Sequence, residues 1–290
     1  MNDRYEELRQ RVEDHLNRVT AQEWEEIPHP LRDAMAYSLL SGGKRLRPVL
    51  LLAAHELIAP ADETALRFAG ALEMIHTYSL IHDDLPAMDN DTLRRGKPTC
   101  HVVYGEGMAV LAGDGLLSLA MEEMLSCPHE KALSAARFIV QAAGVRGMVA
   151  GQCLDLAHEG EPPAQDLVTS IHRLKTGCLL TAPMEAGLCL AGAGEKQLTA
   201  GRTFGQLFGT AFQIQDDLLD LHGNEQDLGK HTGKDLTEGK MTWPALVGAE
   251  QAQKDVEYLT EQACAALEAT FGEASAFLCS LARSCTGRVR

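Results

Sequence analysis

Residues 76–101 read "HTYSLIHDDLPAMDNDTLRRGKPTCH". The stretch sets Asp83, Asp84, Asp89 and Asp91 close together and follows them at once with Arg94, Arg95 and Lys97. Upstream, residues 62–84 are apolar and rich in small side chains, which predicts a long helix ended by Pro86, since proline clashes with the preceding turn. A second stretch, "FQIQDDLLD" at 212–220, repeats the pattern Asp-Asp-spacer-Asp at the end of another apolar helix. Asp216 and Asp220 are four residues apart and share a helix face, and Gln213, three before Asp216 and four before Asp217, lies next to those two. Like charges at that spacing cost a helix a few tenths of a kcal/mol, and the C-terminal end of the macrodipole disfavours anions. A solvated acidic surface is the ordinary meaning of a charge run. Its repetition, each time closing an apolar helix, weakens that meaning here.

The rest of the chain fits the same helical reading. It has 290 residues, 45% hydrophobic but only 5% aromatic, with Ala, Leu and Gly abundant. That mix suits close-packed helices better than strands. Apolar residues Tyr5, Leu8, Val12, Leu16 and Val19 recur at helical spacing. Further helices are predicted after Pro30 up to Gly42-Gly43, from Pro48, and over 103–126, 130–157, 165–191, 197–221, 243–250, 252–270 and 273–286. The expectation is an all-α, single-domain helical bundle over residues 1–290, built around a central active-site cavity.

Charge and cysteine usage narrow the function. A formal net charge of −15 excludes a generic nucleic-acid binder, which needs a basic field. Eight cysteines form no CxxC pair, so zinc is not expected. They read as free thiols in a reducing cytoplasm, most of them buried packing. The charged start, "MNDRYEELRQRVEDHL", lacks the apolar core of a signal peptide. No apolar run is long enough to span a bilayer, so no membrane anchor is expected.

Hard carboxylate oxygens without Cys or His suit Mg²⁺, which keeps waters and bridges carboxylates to substrate phosphates. The cations complete the set. "GGKRLRP" supplies Lys44, Arg45 and Arg47, "LRRGKP" supplies Arg94, Arg95 and Lys97, and "KTG" supplies Lys175. "LGKHTGKDLTEGK" adds Lys230, Lys234 and Lys240. An arginine fork matches a diphosphate, and lysine is a compact point charge. Anions hold metal, metal holds phosphate, and the cations take the remaining phosphate charge.

Taken in order, "GGKRLRP", "IHDDLPAMDND", "LRRGKP", "KTG" and "FQIQDDLLD" followed by "LGK" and "GKMTWP" resemble the trans-isoprenyl diphosphate synthases over roughly residues 35–250. The first acidic motif, with four residues before Asp89, resembles bacterial farnesyl synthases and bacterial and plant geranylgeranyl synthases. The resemblance implies a helical bundle, usually a homodimer, with the acidic motifs facing each other across a cavity mouth. It implies that Asp83, Asp84, Asp89, Asp216, Asp217 and Asp220 hold up to three Mg²⁺ ions together with substrate diphosphate. It assigns Arg94, Lys175 and Lys230 to the allylic diphosphate, and Lys44, Arg47, His76 and Arg95 to isopentenyl diphosphate, with Lys240 also on the substrate. Thr176, Gln213 and the Lys175 carbonyl would face an allylic cation. The cavity would be walled by Ala, Leu and Met. An aromatic five residues before Asp83, here Tyr78 with Ser79 next to it, resembles the floor of farnesyl (C15) makers. On an ideal helix only Ser79 shares the face of Asp83.

Plainer roles stand beside these. His76 lies two turns before Asp83 on the same face, but a helical histidine is commonly structural. Thr176 could back-bond within its own helix. Lys97 and Lys234 read as surface charges, and Arg45 as a surface or salt-bridge residue. "RSCTGRVR" reads as a basic tail that frays or closes over the site. Other functions fit the sequence less well. A non-catalytic partner subunit would be expected to lose one acidic motif, and a terpene cyclase would not need "GGKRLRP". A geranylgeranyl (C20) product remains open.

Overall fold

The acidic stretch closes a helix that lies at the centre of the molecule. In the computed structural model, residues 2–222 and 241–287 are described; Lys230, Lys234 and Lys240 lie outside them, as do Arg288 and Arg290. Helix α4 (Glu63–Asp83) starts at Asp62, whose side chain accepts the Ala65 N–H at 2.9 Å. This satisfies one of the orphan donors of a helix start. Its Ala and Gly residues and its buried Leu66, Phe68, Leu72, Met74, Ile75 and Ile81 leave little of it facing solvent, the mark of a core helix.

Around α4 the chain lays down α1 (Asn2–Gln22), α2 (His29–Leu39) and α3 (Leu46–Glu56) before it. After it come α5 (Cys100–Tyr104), α6 (Glu106–Leu125), α7 (Ala132–Ala143), α8 (Met148–Ala157) and α9 (Gln165–Ile171). Next are α10 (Cys178–Leu190), α11 (Glu195–His222), α12 (Trp243–Val247), α13 (Ala249–Phe271) and α14 (Ala276–Thr286). Helix α4 packs on α3 and α6; α10 packs on α3, α7 and α11; α11 packs on α13. One apolar core draws on α1 to α8, α10, α11, α13 and α14. The fold is a single all-α helical domain, as the composition implied. Leu8, Val12, Leu16 and Val19 are all buried on the α1 face that the periodicity marked.

Several boundaries differ from the sequence expectation, and glycine accounts for most of them. The helix expected over 130–157 is two, broken at Gly144–Gly147. A Cβ at Gly147 would lie 2.9 Å from the Ala142 Cα, so the chain doubles back on α7 closely enough to require glycine. Gly105 (φ 85) separates α5 from α6, and Gly248 (φ 82) separates α12 from α13. Both take the left-handed backbone that glycine adopts without penalty. The helix expected over 165–191 does run on, but His172–Gly177 is wound as a π-helix. Among the described residues one departure from helix and loop stands out, a minimal hairpin of β1 (Leu93–Arg94) and β2 (Lys97–Pro98). Its turn residues Arg95 (φ 54) and Gly96 (φ 74) are both left-handed, as a tight two-residue hairpin requires.

Of the eight cysteines, six are buried and Cys178 is half-buried, while Cys153 is exposed; all are free thiols. Among the described residues no helix is long and apolar enough to cross a membrane.

Candidate active site

The C-terminal ends of α4 and α11, the start of α3, the β-hairpin and the π segment converge on one cavity of about 870 Å³. Asp83 and Asp89 line it from the α4 side, and Asp216, Asp217 and Asp220 from α11. The chain after α4 curls back so that the Asp89 N–H donates to the Asp83 carbonyl at 2.9 Å, which brings the two carboxylates together. Lys44, Arg47, His76, Arg94 and Arg95 line the cavity as well, with Lys175, Thr176 and Gln213 from the π segment and α11. Its apolar wall includes Leu80, Met148, Ile171, Leu179, Phe212 and Met241. The alanines expected there sit behind this wall in the core.

Asp84 and Asp217 are held by charged or multiple protein partners. Asp84 is 3% exposed and lies off the cavity. It accepts from the Arg94 Nε at 2.7 Å and pairs with the Arg94 Nη2 at 2.6 Å. Burial pushes the Asp84 carboxyl up to about 6, against the pull of Arg94. Asp217 accepts from the Gln213 Nε2 at 3.0 Å and from the Trp243 N–H at 2.9 Å, with the His172 Nε2 at 3.1 Å. Breaking a buried pair of this kind costs about 3–5 kcal/mol, so Arg94 is a structural anchor of the acidic loop in addition to lining the cavity.

Around Asp83 the wall is differently charged. Burial, reinforced by Asp89, raises the Asp83 carboxyl, while Lys175 and Arg94 lower it. Lys175 is itself bound to Asp155 at 2.6 Å, and the Gln152 amide donates to Asp83. Both Asp155 and Gln152 line the cavity. Sequence reasoning missed them, and His172 too; the signal available was their spacing on α8, three residues apart on a helix whose glycine packs closely. The Thr176 hydroxyl donates to the Gln213 Oε1 at 2.6 Å. It therefore bonds across to α11 and does not back-bond in its own helix. Within the π segment the Cys178 N–H reaches back five residues to the Arg173 carbonyl. Such segments are frequent at functional sites.

The basic wall is built on strained backbone. Among the described residues three other than glycine take left-handed φ, Arg45 (48°), Asn90 (50°) and Arg95 (54°), all in the loops that border the cavity. Conformations of this kind persist where surrounding structure over-determines them. The Arg95 guanidinium donates to the Gly42 carbonyl and to the Ser41 Oγ at 3.3 Å. A Cβ on Gly43 would meet that guanidinium at 2.6 Å, which explains the glycine. The Arg47 Nη1 lies 3.2 Å from the His76 Nε2. Burial lowers Arg47 to about 10 despite Glu73 and Asp216, and burial with the neighbouring Arg47 and Arg95 holds His76 well below its ordinary value. A neutral imidazole beside poorly compensated guanidinium groups is a ready receptor for a polyanion. Of the two roles expected for Arg45, surface or salt bridge, the structure shows the salt bridge: it is fully buried in ion pairs with Glu13 and Glu73.

Tyr78 is buried off the cavity lining, its ring edge-on to His82 at 5.7 Å, while Ser79 and Leu80 line it. This is the face the helical wheel gave.

The described residues fit magnesium. Asp83, Asp89, Asp216, Asp217 and Asp220 put hard carboxylate oxygens on the wall, and the raised Asp83 carboxyl is one that a cation would relieve. Among the described residues no three ligating side chains stand close enough to hold a metal by themselves. That suits an ion whose shell is completed by waters and phosphate oxygens.

Acidic and basic walls around one apolar cavity, in an all-α bundle, define the prenyl diphosphate synthase class of prenyltransferases. The chain belongs to the polyprenyl synthetase family, whose model matches residues 28–273. It is 44% identical over 282 residues to Farnesyl diphosphate synthase of Geobacillus stearothermophilus, covering 95% of this chain and 94% of that one. It is 45% identical over 262 residues to Geranylgeranyl diphosphate synthase of Cyanophora paradoxa, covering 89% and 86%. Its fold is similar to a solved geranyltransferase from Helicobacter pylori complexed with magnesium and isoprenyl diphosphate. That match has a TM-score of 0.86 and 30% identity, and covers 98% of this chain and 97% of that one.

Proposed function

We propose that this protein condenses isopentenyl diphosphate head-to-tail with dimethylallyl and then geranyl diphosphate, giving (2E,6E)-farnesyl diphosphate with Mg²⁺ as cofactor. The observation that carries the proposal is the opposition of Asp83, Asp89, Asp216 and Asp220 to Lys44, Arg47 and Arg95 on the walls of one cavity. The relative solved with magnesium and isoprenyl diphosphate supports the ligands.

In this reading Asp83, Asp89, Asp216 and Asp220 hold the metal, with Asp84 fixing the loop after α4 through Arg94 and Asp217 tying α11 to Trp243 and His172. When bound with substrate diphosphate, up to three Mg²⁺ ions supply electrostatic stabilisation of the charge that develops on the leaving group. Arg94 and Lys175 bind the allylic diphosphate, as Lys230 would, with Lys240 also toward substrate. Lys44, Arg47, His76 and Arg95 bind isopentenyl diphosphate and aim its double bond. Once the allylic C–O bond breaks, the Thr176–Gln213 pair and the Lys175 carbonyl turn oxygen dipoles toward the carbocation. The double bond of isopentenyl diphosphate attacks it, and a proton leaves to the departed diphosphate. Leu80, Ile171, Leu179 and Phe212 keep out the water that would quench the cation.

A C15 product is supported by the farnesyl synthase relative and by Tyr78, the aromatic next to the lining residue Ser79. A C20 product is the second reading, favoured by the equally similar geranylgeranyl synthase. We further infer one domain over residues 1–290, a cytoplasmic location consistent with eight free thiols, and a homodimer. Exposed Val103, Val110, Leu111, Leu125 and Leu133 on α5 to α7 offer the apolar face that a dimer would cover.

The test is to incubate purified protein with Mg²⁺, dimethylallyl diphosphate and isopentenyl diphosphate and weigh the prenyl products. A C15 product is expected, lost with EDTA and restored by Mg²⁺. A C20 product would select the second reading. Folded protein without product, or full turnover in EDTA, would overturn the mechanism.

A further inference from the structure

Lys44, Arg45 and Arg47 all border the cavity, but Arg45 spends its side chain on the protein. Its side chain is fully buried and its backbone is left-handed at φ 48. Nearly every direction of its guanidinium fork is used. Nε donates to the Glu13 Oε1 at 2.9 Å, Nη1 to the Glu73 Oε1 at 2.7 Å, and Nη2 to the Leu39 carbonyl at 2.7 Å and the Glu13 Oε2 at 3.3 Å. These partners sit on three different helices: Glu13 on α1, Leu39 on α2 and Glu73 on α4. A lysine, a point charge, could not bridge them.

The carboxylates are also shared with the site. Glu73 is 1% exposed, borders the cavity and has its Oε2 without a hydrogen-bond partner. It acts electrostatically on Arg47 and Arg95 as well as on Arg45. Helix α1 reaches the same place by a second route: the Tyr5 hydroxyl donates to the Lys44 carbonyl, and Tyr5, Glu6 and Arg9 border the cavity. The loop so held begins with Gly42 (φ 81) and Gly43 (φ 124), residues that restrain a backbone least. Its shape depends on what holds it, Arg95 on the Gly42 carbonyl and the Arg45 network on the residues that follow.

We propose that Arg45 is a positioning residue, which through Glu13 and Glu73 sets Lys44 and Arg47 for the isopentenyl diphosphate and makes α1 part of that binding site. The proposal rests on the function given above. Because coupling is reciprocal, ligand on Lys44 and Arg47 must in turn steady α1.

The experiment compares wild type, Arg45→Lys, Glu13→Gln and the double variant in steady-state kinetics. Hydrogen exchange of residues 2–22 is followed with and without isopentenyl diphosphate. Arg45→Lys is expected to raise KM for isopentenyl diphosphate about tenfold by displacing the loop, with KM for the allylic diphosphate within about twofold. Glu13→Gln should act in the same direction and less, and the double variant should equal Arg45→Lys, since the two residues share one network. Isopentenyl diphosphate should slow exchange in α1 of wild type and lose that effect in Arg45→Lys. If Arg45→Lys does not fold, Glu13→Gln carries the same comparison. Unchanged KM in a folded variant, additive effects, or an α1 indifferent to ligand would overturn the positioning role while leaving the synthase reading intact. A wild type that neither binds nor consumes isopentenyl diphosphate would instead overturn the synthase reading, and this proposal with it.

Discussion

Gly151 stands where α8 crosses the π segment, and replacing it with alanine tests whether that crossing sets the site. A Cβ at this position would lie against the Lys175 backbone N–H, 2.5 Å from the Lys175 Cα and 2.8 Å from the Leu174 carbonyl carbon. Ordinary contact starts near 3.4 Å, so relieving even the nearest of these contacts requires α8 and the π segment to separate by roughly 1 Å. These are backbone atoms on both sides and cannot yield by a rotamer change. Moving α8 carries Gln152 away from Asp83 and Asp155 away from Lys175, contacts that both reach from α8 to the facing walls. Overpacking of this kind costs about 1–3 kcal/mol, a lowering of Tm by roughly 2–5 °C for a domain of this size. A displacement near 1 Å at reacting groups costs on the order of 10²-fold in rate. The assay is thermal unfolding together with kcat and KM for prenyl transfer. Gly115→Ala is the control, because its Cβ would meet the flexible Met35 thioether at 2.9 Å, which can move aside. Wild-type kcat and Tm in Gly151→Ala would refute the idea that this close crossing positions Lys175.

Two further outcomes follow from single side chains. His15 is 6% exposed, and burial, then Arg18 and Arg67, lower its pKa to about 4. It is neutral in the fold while the unfolded chain takes up its proton near 6.5. His15 therefore costs nothing above about pH 6.5 and destabilises progressively as pH falls toward 4, by up to about 3 kcal/mol. His15→Leu should flatten Tm against pH across that window, and an unchanged acid limb would remove His15 as its source. Tyr78→Ala should lose about 3 kcal/mol of stability and lengthen the prenyl product, read by mass; an unchanged C15 product would remove Tyr78 as the floor.

Much of this protein is legible in the order and spacing of its residues. Helical periodicity buried Leu8, Val12 and Leu16 where expected, because which face of a helix turns inward depends on residues three and four apart. The same local rule put His76 and Ser79 on the cavity with Asp83 and left Tyr78 off it. It also set Gln213 beside Asp217, where a hydrogen bond of 3.0 Å is found. The order of acidic and basic stretches was enough to identify the family, since each stretch is contiguous in the chain.

What the sequence alone did not decide is which charged groups are spent on one another. Asp83 and Asp84 are neighbours of one kind, yet Asp83 lines the cavity and Asp84 is buried on Arg94. Gln152 reaches Asp83 across 69 positions, and Arg45 reaches Glu73 across 28. Such pairings depend on the angle and distance at which helices cross, which are set by packing over the whole core. The π turn at His172–Gly177 and the backbone contact between Gly151 and Lys175 are of the same kind. Local propensity carries no record of them, because their energies exist only once distant helices are pressed together.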